Sequence, residues 1–371
     1  MGRSQAAKRL GHIDWWIVGT CLAISALGLV VLYSAGYNPE LQSSPAVKRQ
    51  LVSLGIGALG FTFCAILHPT FWRRWAYLIY GAGCALLLLI LFKGVVAGGA
   101  RRWLDLGGIR MQPSELMKLG VILALAKVFS SDRAPTMGYG FFALFIPGLV
   151  LLIPAVLTVA EPDLGTGLCH ILIGGSMLLL AGVKPKILVR LLALVLIMLP
   201  VAWQFGLKEY QQQRVLTFMS PEKDPLGSGY HAMQSKIAVG SGALTGKGFL
   251  QGTQTQLRFL PEQTTDFIFS VLAEEWGFFG SSALLCLYAI LILRLITIAS
   301  VQQDRFTAFV SFGVAALLFW HVVINIGMVI GVLPVVGLTL ALFSYGGSSL
   351  ITVLISLGIV VGSNARRHSF S

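Results

Sequence analysis

Asp266 stands where a polar stretch, Leu260-Pro261-Glu262-Gln263-Thr264-Thr265, gives way to an apolar run beginning Phe267-Ile268-Phe269. An ionisable side chain at the mouth of an apolar span is costly to desolvate, which makes it a functional candidate by default. Partial desolvation raises a carboxylate's pKa towards the range of a working base. A structural role competes with this one. Asp is a good helix N-cap, although Thr264 and Thr265 are equally able to cap.

Other charged residues form recognisable pairs. In Gln112-Pro113-Ser114-Glu115-Leu116-Met117-Lys118, Pro113 suits a first helical turn, and Glu115 and Lys118 lie three apart on one helix face. They make either a structural ion pair or the lining of a polar cavity. Glu161-Pro162-Asp163-Leu164-Gly165 reads as a tight turn in which Asp163 caps the next helix. Glu274 lies about 80° and Glu275 about 180° around a helix from Asp266. They share no site with it unless Gly277 kinks the helix, and they are expected to be paired or neutral. Gly242-Ala243-Leu244-Thr245-Gly246-Lys247-Gly248 resembles a phosphate loop, but Ser241 and Gly248 stand where the Walker pattern needs Gly and Ser or Thr. HExxH, GxSxG and DxD motifs are absent.

The elements that must position these groups are membrane helices. Hydrophobic residues make up 56% of the 371 and charged residues 11%, against about 25% charged in a soluble domain. Mean hydropathy is +0.81. Ten spans of roughly the required 20 apolar residues are read at 14–34, 50–67, 75–92, 112–129, 141–160, 164–182, 187–205, 267–293, 307–330 and 347–363. With both termini inside, the inner segments hold Arg3, Lys8, Arg9, Arg73, Arg74, Lys127, Arg133, Lys184, Lys186, Arg294, Arg305, Arg366 and Arg367. The short outer loops hold only Lys48, Arg49, Lys93, Arg101, Arg102 and Arg110, so the bias favours an N-in, C-in topology. The net charge of +12 is largely accounted for in this way and does not imply nucleic acid. The run from Ile13 to Tyr33 exceeds a cleavable signal core and reads as a retained span. The five cysteines, Cys21, Cys64, Cys84, Cys169 and Cys286, fall in apolar stretches and read as small core residues. The expected fold is therefore all-α and polytopic, one integral membrane domain over 1–371. Residues 206–265 form a long extracytoplasmic loop between spans seven and eight, with short helices in it. Arg101, Arg102 and Arg110 lie outside, against the orientation rule, and so have another task.

Long stretches of the chain resemble the SEDS family (shape, elongation, division and sporulation). They include Asp224-Pro225-Leu226-Gly227-Ser228-Gly229-Tyr230-His231, Gly252-Thr253-Gln254, Phe259-Leu260-Pro261-Glu262 through Gly277, Arg102-Trp103, Gln112-Pro113-Ser114-Glu115, Glu161-Pro162-Asp163-Leu164-Gly165-Thr166 and Ser344-Tyr345-Gly346-Gly347-Ser348. The resemblance covers nearly the whole chain and leans towards the family's elongation branch. It implies a peptidoglycan glycosyltransferase that polymerises lipid II on the outer face of the bacterial cytoplasmic membrane, beside a class B penicillin-binding protein and other elongation-complex membrane proteins. The family's essential aspartate falls on Asp266, and its polar pair on Glu115 and Lys118. One departure stands out. Thr339 and Ala341 replace two prolines of the family's Gly-x-Pro-x-Pro run, so this segment is expected to be more helical or more mobile.

The implied reaction needs a base to take the proton of a sugar hydroxyl. Pyrophosphate leaves as a stable anion, so the second carboxylic acid of a glycosidase is dispensable. Positive charge near the phosphates replaces it. Arg101, Arg102, Arg110, Arg214, Lys236 and Lys247 are the candidates, with Lys118 where Glu115 leaves it charge to spare. No ligand cluster specifies a metal. A divalent cation such as Mg²⁺ would be held weakly, by carboxylates and phosphate oxygens. Two other readings compete: a lipid II transporter, which expects ionisable groups near the midplane, and a non-catalytic scaffold for the penicillin-binding partner. His170, Arg190 and His321 lie inside spans without an obvious relay.

Overall fold

A computed structural model describes residues 13–37, 43–97, 100–105, 110–131, 139–201, 203–204, 209–220, 228–257, 259–260 and 262–367. Its helices are α1 (Trp15–Ala35), α2 (Pro45–Ile66), α3 (Pro69–Lys93), α4 (Pro113–Phe129), α5 (Phe145–Ala160), α6 (Leu164–Ala181), α7 (Pro185–Val201), α8 (Glu209–Met219), α9 (Ser228–Ser241), α10 (Thr253–Gln256), α11 (Ile268–Val301), α12 (Arg305–Val329) and α13 (Gly347–Arg367). Among the described residues, eight helices are long and apolar enough to cross a membrane, as expected of an integral membrane protein. Helix α5 is one of these with the 3-10 turn Phe142–Leu144 that leads into it, whereas α4 and α7 stop at 17 residues each.

The predicted spans fall on these helices with shifted ends. Helices α2 and α3 begin at Pro45 and Pro69 rather than near 50 and 75. Proline opens both, and the charged pairs Lys48-Arg49 and Arg73-Arg74 sit inside the helices rather than ahead of them. Helix α11 runs on to Val301 and is kinked, with Gly277 at φ 63°. The kink lies beyond Glu274 and Glu275, so it does not turn them towards Asp266. Backbone contact explains this glycine, because a Cβ there would meet Gly246 N at 2.4 Å. Among the cysteines, Cys21, Cys64 and Cys169 are buried, whereas Cys286 is exposed on α11.

One feature lies outside the all-helical expectation. Between α3 and α4 the chain forms a small antiparallel sheet, β1 (Val95–Ala97), β2 (Ala100–Asp105) and β3 (Arg110–Met111), in the order β1-β2-β3. Arg101 pairs in register with Val96, and Asp105 with Arg110.

Because successive long helices alternate in direction, the sheet, the α5–α6 turn, α8 to α10 and the segment between α12 and α13 gather at one end. Hydrogen bonds tie this end together. Gln112 Nε2 donates to Asp163 Oδ2 at 2.8 Å, Gln263 Nε2 to Ala35 O at 2.7 Å, and Tyr345 N to Thr264 O at 3.0 Å. The other end is fastened by ion pairs, Arg73 with Asp304 and Arg294 with Asp14, the latter at 2.8 Å. Three short helices occupy the described part of 206–265, as expected.

Candidate active site

Asp266 is the last residue but one before α11. The N-cap position belongs to Phe267, and no side chain caps the helix. Capping therefore does not account for the carboxylate. Its backbone is fixed on both sides: its N–H donates to Glu262 O at 3.2 Å, and its carbonyl accepts from Asn325 Nδ2 at 2.9 Å. The side chain is half-buried. Burial, then the nearby Glu262 carboxylate, push its pKa up to about 6, with Asp163 adding to the rise. The Thr265 hydroxyl and the Arg214 guanidinium oppose that shift. This is the signature of a carboxylate poised near neutrality.

Arg214 also lines a shallow groove with Thr217, Phe218, Ala232, Lys236, Gly331, Leu333 and Val335. Among the described residues, two cations and no carboxylate line this space, and its remaining walls are largely apolar. Arg214 Nη1 donates to Val335 O at 3.3 Å, which braces the guanidinium against the α12–α13 segment. The stem of Lys236 lies over Gly331, where an added Cβ would meet its Cε at 1.7 Å.

The other sequence candidates are distributed. Glu115 and Lys118 pair at 2.7 Å, as their spacing predicts, but both are buried, at 6% and 1% exposure. Lys118 also contacts His321 Nε2 at 2.9 Å, and His321 Nδ1 contacts Thr339 O at 2.9 Å. A carbonyl only accepts, so Nδ1 carries the proton and Nε2 accepts from Lys118. His321 is thus part of the cluster, contrary to the expectation of no relay. His170 lies within electrostatic reach of Lys118 and is fully buried.

Arg102 binds backbone. Its Nε donates to Glu161 O at 3.2 Å and its Nη2 to Pro162 O, pinning the sheet to the α5–α6 turn. Asp163 caps α6 by accepting from Thr166 N at 3.2 Å, as expected. The Glu161 carboxylate is buried with both oxygens unpartnered among the described residues. Burial first, then Asp163, lift its pKa to about 8, against Arg102. Arg101 and Arg110 are exposed on the sheet.

Lys247 is paired with Glu274 at 2.8 Å. Glu274 also accepts from Gln254 N at 2.9 Å and from Thr255 Oγ1 at 2.9 Å, so it anchors α10. Glu275 accepts from Ser34 on α1. The glycine-rich 242–248 segment packs on this part of α11, and a Cβ at Gly242 would stand 1.8 Å from Ala273 O. Its phosphate-loop look therefore comes from close backbone packing.

Asp266, Arg214 and Lys236 are thus brought to one region, while Lys247 is diverted. Sequence reasoning missed Asn325. Its available signal was the spacing His321–Asn325, two polar residues one turn apart on an apolar helix.

The family profile described as cell cycle protein, FtsW/RodA/SpoVE, matches residues 14–369. The chain belongs to that family. It is 40% identical to peptidoglycan glycosyltransferase MrdB of Escherichia coli, covering 97% of this chain and 95% of that protein. A chain in a solved peptidoglycan synthase complex that coordinates polymerization and crosslinking superposes with a TM-score of 0.81 at 37% identity, covering 96% of this chain and 98% of that one. The rod shape determining protein RodA of Thermus thermophilus gives 0.71 at 34% identity, with 96% and 98% covered.

Proposed function

We propose that the chain is a peptidoglycan glycosyltransferase for cell-wall elongation, polymerising lipid II into glycan strands with Asp266 as general base. The observation that carries this reading is a half-buried carboxylate outside the N-cap position, its pKa near 6, within reach of Arg214, which lines a groove with Lys236. Asp266 takes the proton of the acceptor sugar's 4-hydroxyl. The oxygen attacks the anomeric carbon of the donor, and the bond to the polyprenyl pyrophosphate breaks. Arg214 and Lys236 stabilise the charge that collects on the departing phosphates. Lys247 is left out of that set because Glu274 neutralises it, and Lys118 because Glu115 and His321 occupy it. Arg101 and Arg110 contribute long-range attraction for an anionic substrate.

Among the described residues no three His, Cys, Asp or Glu side chains gather to hold a divalent cation. A cation such as Mg²⁺ reaching the site would be held by Asp266 and Glu262 with substrate phosphate oxygens, where it would offset charge on the leaving group.

With the ten spans and N-in, C-in topology read from the sequence, this end would lie outside the cytoplasmic membrane, where a class B penicillin-binding protein would receive the strands for cross-linking. Names and assemblies of the relatives support that partnership. The test is polymer formation by purified protein supplied with lipid II. Asp266→Asn abolishes it, and Arg214→Ala with Lys236→Ala weakens donor binding. Normal polymerisation by Asp266→Asn overturns the reading.

The buried Glu115–Lys118–His321 chain favours a second reading, lipid II transport, because ionisable clusters inside spans mark transport paths. Movement of labelled lipid II across sealed vesicles by the Asp266→Asn protein, without polymerisation, would support it.

A further inference from the structure

The coil between α12 and α13 is not helical, and from Leu338 to Ser344 it is mostly buried, although it lacks the two family prolines. Leu338 and Leu340 are each 1% exposed. Side chains from elsewhere hold its carbonyls: Arg214 on Val335, Asn325 on Leu338 at 2.8 Å, and His321 on Thr339.

Asn325 differs from the other two. Its amide nitrogen donates at once to Leu338 O and to the carbonyl of Asp266, using both of its protons. The residue is fully buried on α12. Next to Leu338, Gly337 adopts φ 77°, a left-handed conformation that favours glycine. A Cβ at Gly337 would stand 3.5 Å from Asp266 Oδ2. The Gly337 backbone is therefore a wall of the space in front of the carboxylate, and one amide joins that wall to the carboxylate's own main chain.

We propose that Asn325 is a positioning residue, which fixes the aim of the Asp266 carboxylate by clamping the Asp266 and Leu338 carbonyls on a single amide. The inference rests on Asp266 being the base. Loss of the clamp lets the wall and the base move independently, and a misplacement of about 1 Å at a reacting group costs on the order of 100-fold in rate.

The experiment uses the full-length purified protein, with lipid II as substrate and polymer formation as readout across a pH series. Asn325→Leu keeps the approximate volume and removes both donated bonds. The expected result is a kcat about 10- to 100-fold lower with KM within about 2-fold of wild type. The acid limb of the pH profile also moves below its wild-type position, as water reaches the loosened carboxylate. A folded Asn325→Leu protein with wild-type kcat overturns the proposal. So does a kcat that falls only in proportion to the folded fraction while the acid limb stays in place. If Asn325→Leu does not fold, Asn325→Ser tests the same clamp, because a hydroxyl donates at most one bond and no longer joins the Asp266 and Leu338 carbonyls. A lower kcat at unchanged KM supports the clamp, and wild-type kcat refutes it. Asp266→Asn is run alongside. If it remains active, the base reading and this inference fall together. If it is inactive while Asn325→Leu behaves as wild type, the positioning role alone fails.

Discussion

Replacing Asp266 by Asn should make the protein inactive and more stable. The perturbation keeps the shape and leaves an acceptor for the Thr265 hydroxyl. It removes only the need to ionise a carboxylate that burial and Glu262 disfavour. The pKa rises from 3.8 to about 6 on folding. At about 1.36 kcal/mol per pKa unit, full ionisation in the folded state costs about 3 kcal/mol. The side chain is partly accessible to solvent, so about 1–2 kcal/mol is the expected share. The sign follows from the raised value. Below the unfolded pKa both states are protonated and the variant gains nothing. As pH climbs from about 3.8 to about 6 the unfolded chain ionises first, and the wild type loses stability that the variant keeps. In a chain of this size the gain corresponds to a Tm about 1–3 °C higher at neutral pH, shrinking towards zero near pH 4. Thermal unfolding of both detergent-purified proteins across that pH range measures it. A variant less stable than wild type at pH 7, or a difference independent of pH, would refute the claim that Asp266 is a strained base.

Three further outcomes follow from the same structure. Wild-type activity should fall as pH drops through about 6, because protonated Asp266 accepts no proton; a profile flat down to pH 4.5 would contradict this. Glu161, lifted to about 8, makes the fold lose stability as pH rises between about 4.5 and 8, and Glu161→Gln should remove that slope in a pH series of unfolding temperatures. Lys118→Met breaks a buried pair and leaves Glu115 uncompensated, which should cost about 3–5 kcal/mol and lower the Tm accordingly.

Much of the site was legible because its signals were local. A carboxylate at the mouth of an apolar run marked Asp266, three-residue spacing paired Glu115 with Lys118, and a turn sequence made Asp163 a cap. What was not legible depended on backbone groups distant in the chain. Asn325 and His321 bond to the carbonyls of Leu338 and Thr339, and a carbonyl carries no residue identity to read. The missing prolines suggested extra helix or motion at that segment. The structure instead buries it, with side chains supplying the restraint. The sheet before α4 escaped notice because its strands are only 3, 6 and 2 residues long, too short for alternation to register. Lys247 looked free for phosphate because its partner Glu274 lies 27 residues away.

The central claim is that one carboxylate, Asp266, does the proton transfer. Purified wild-type and Asp266→Asn proteins, both shown to be folded, are given lipid II, and glycan polymer is quantified against time. Loss of one general base predicts a rate at least about 100-fold lower for the variant. Polymer appearing at the wild-type rate would show that Asp266 is not the base.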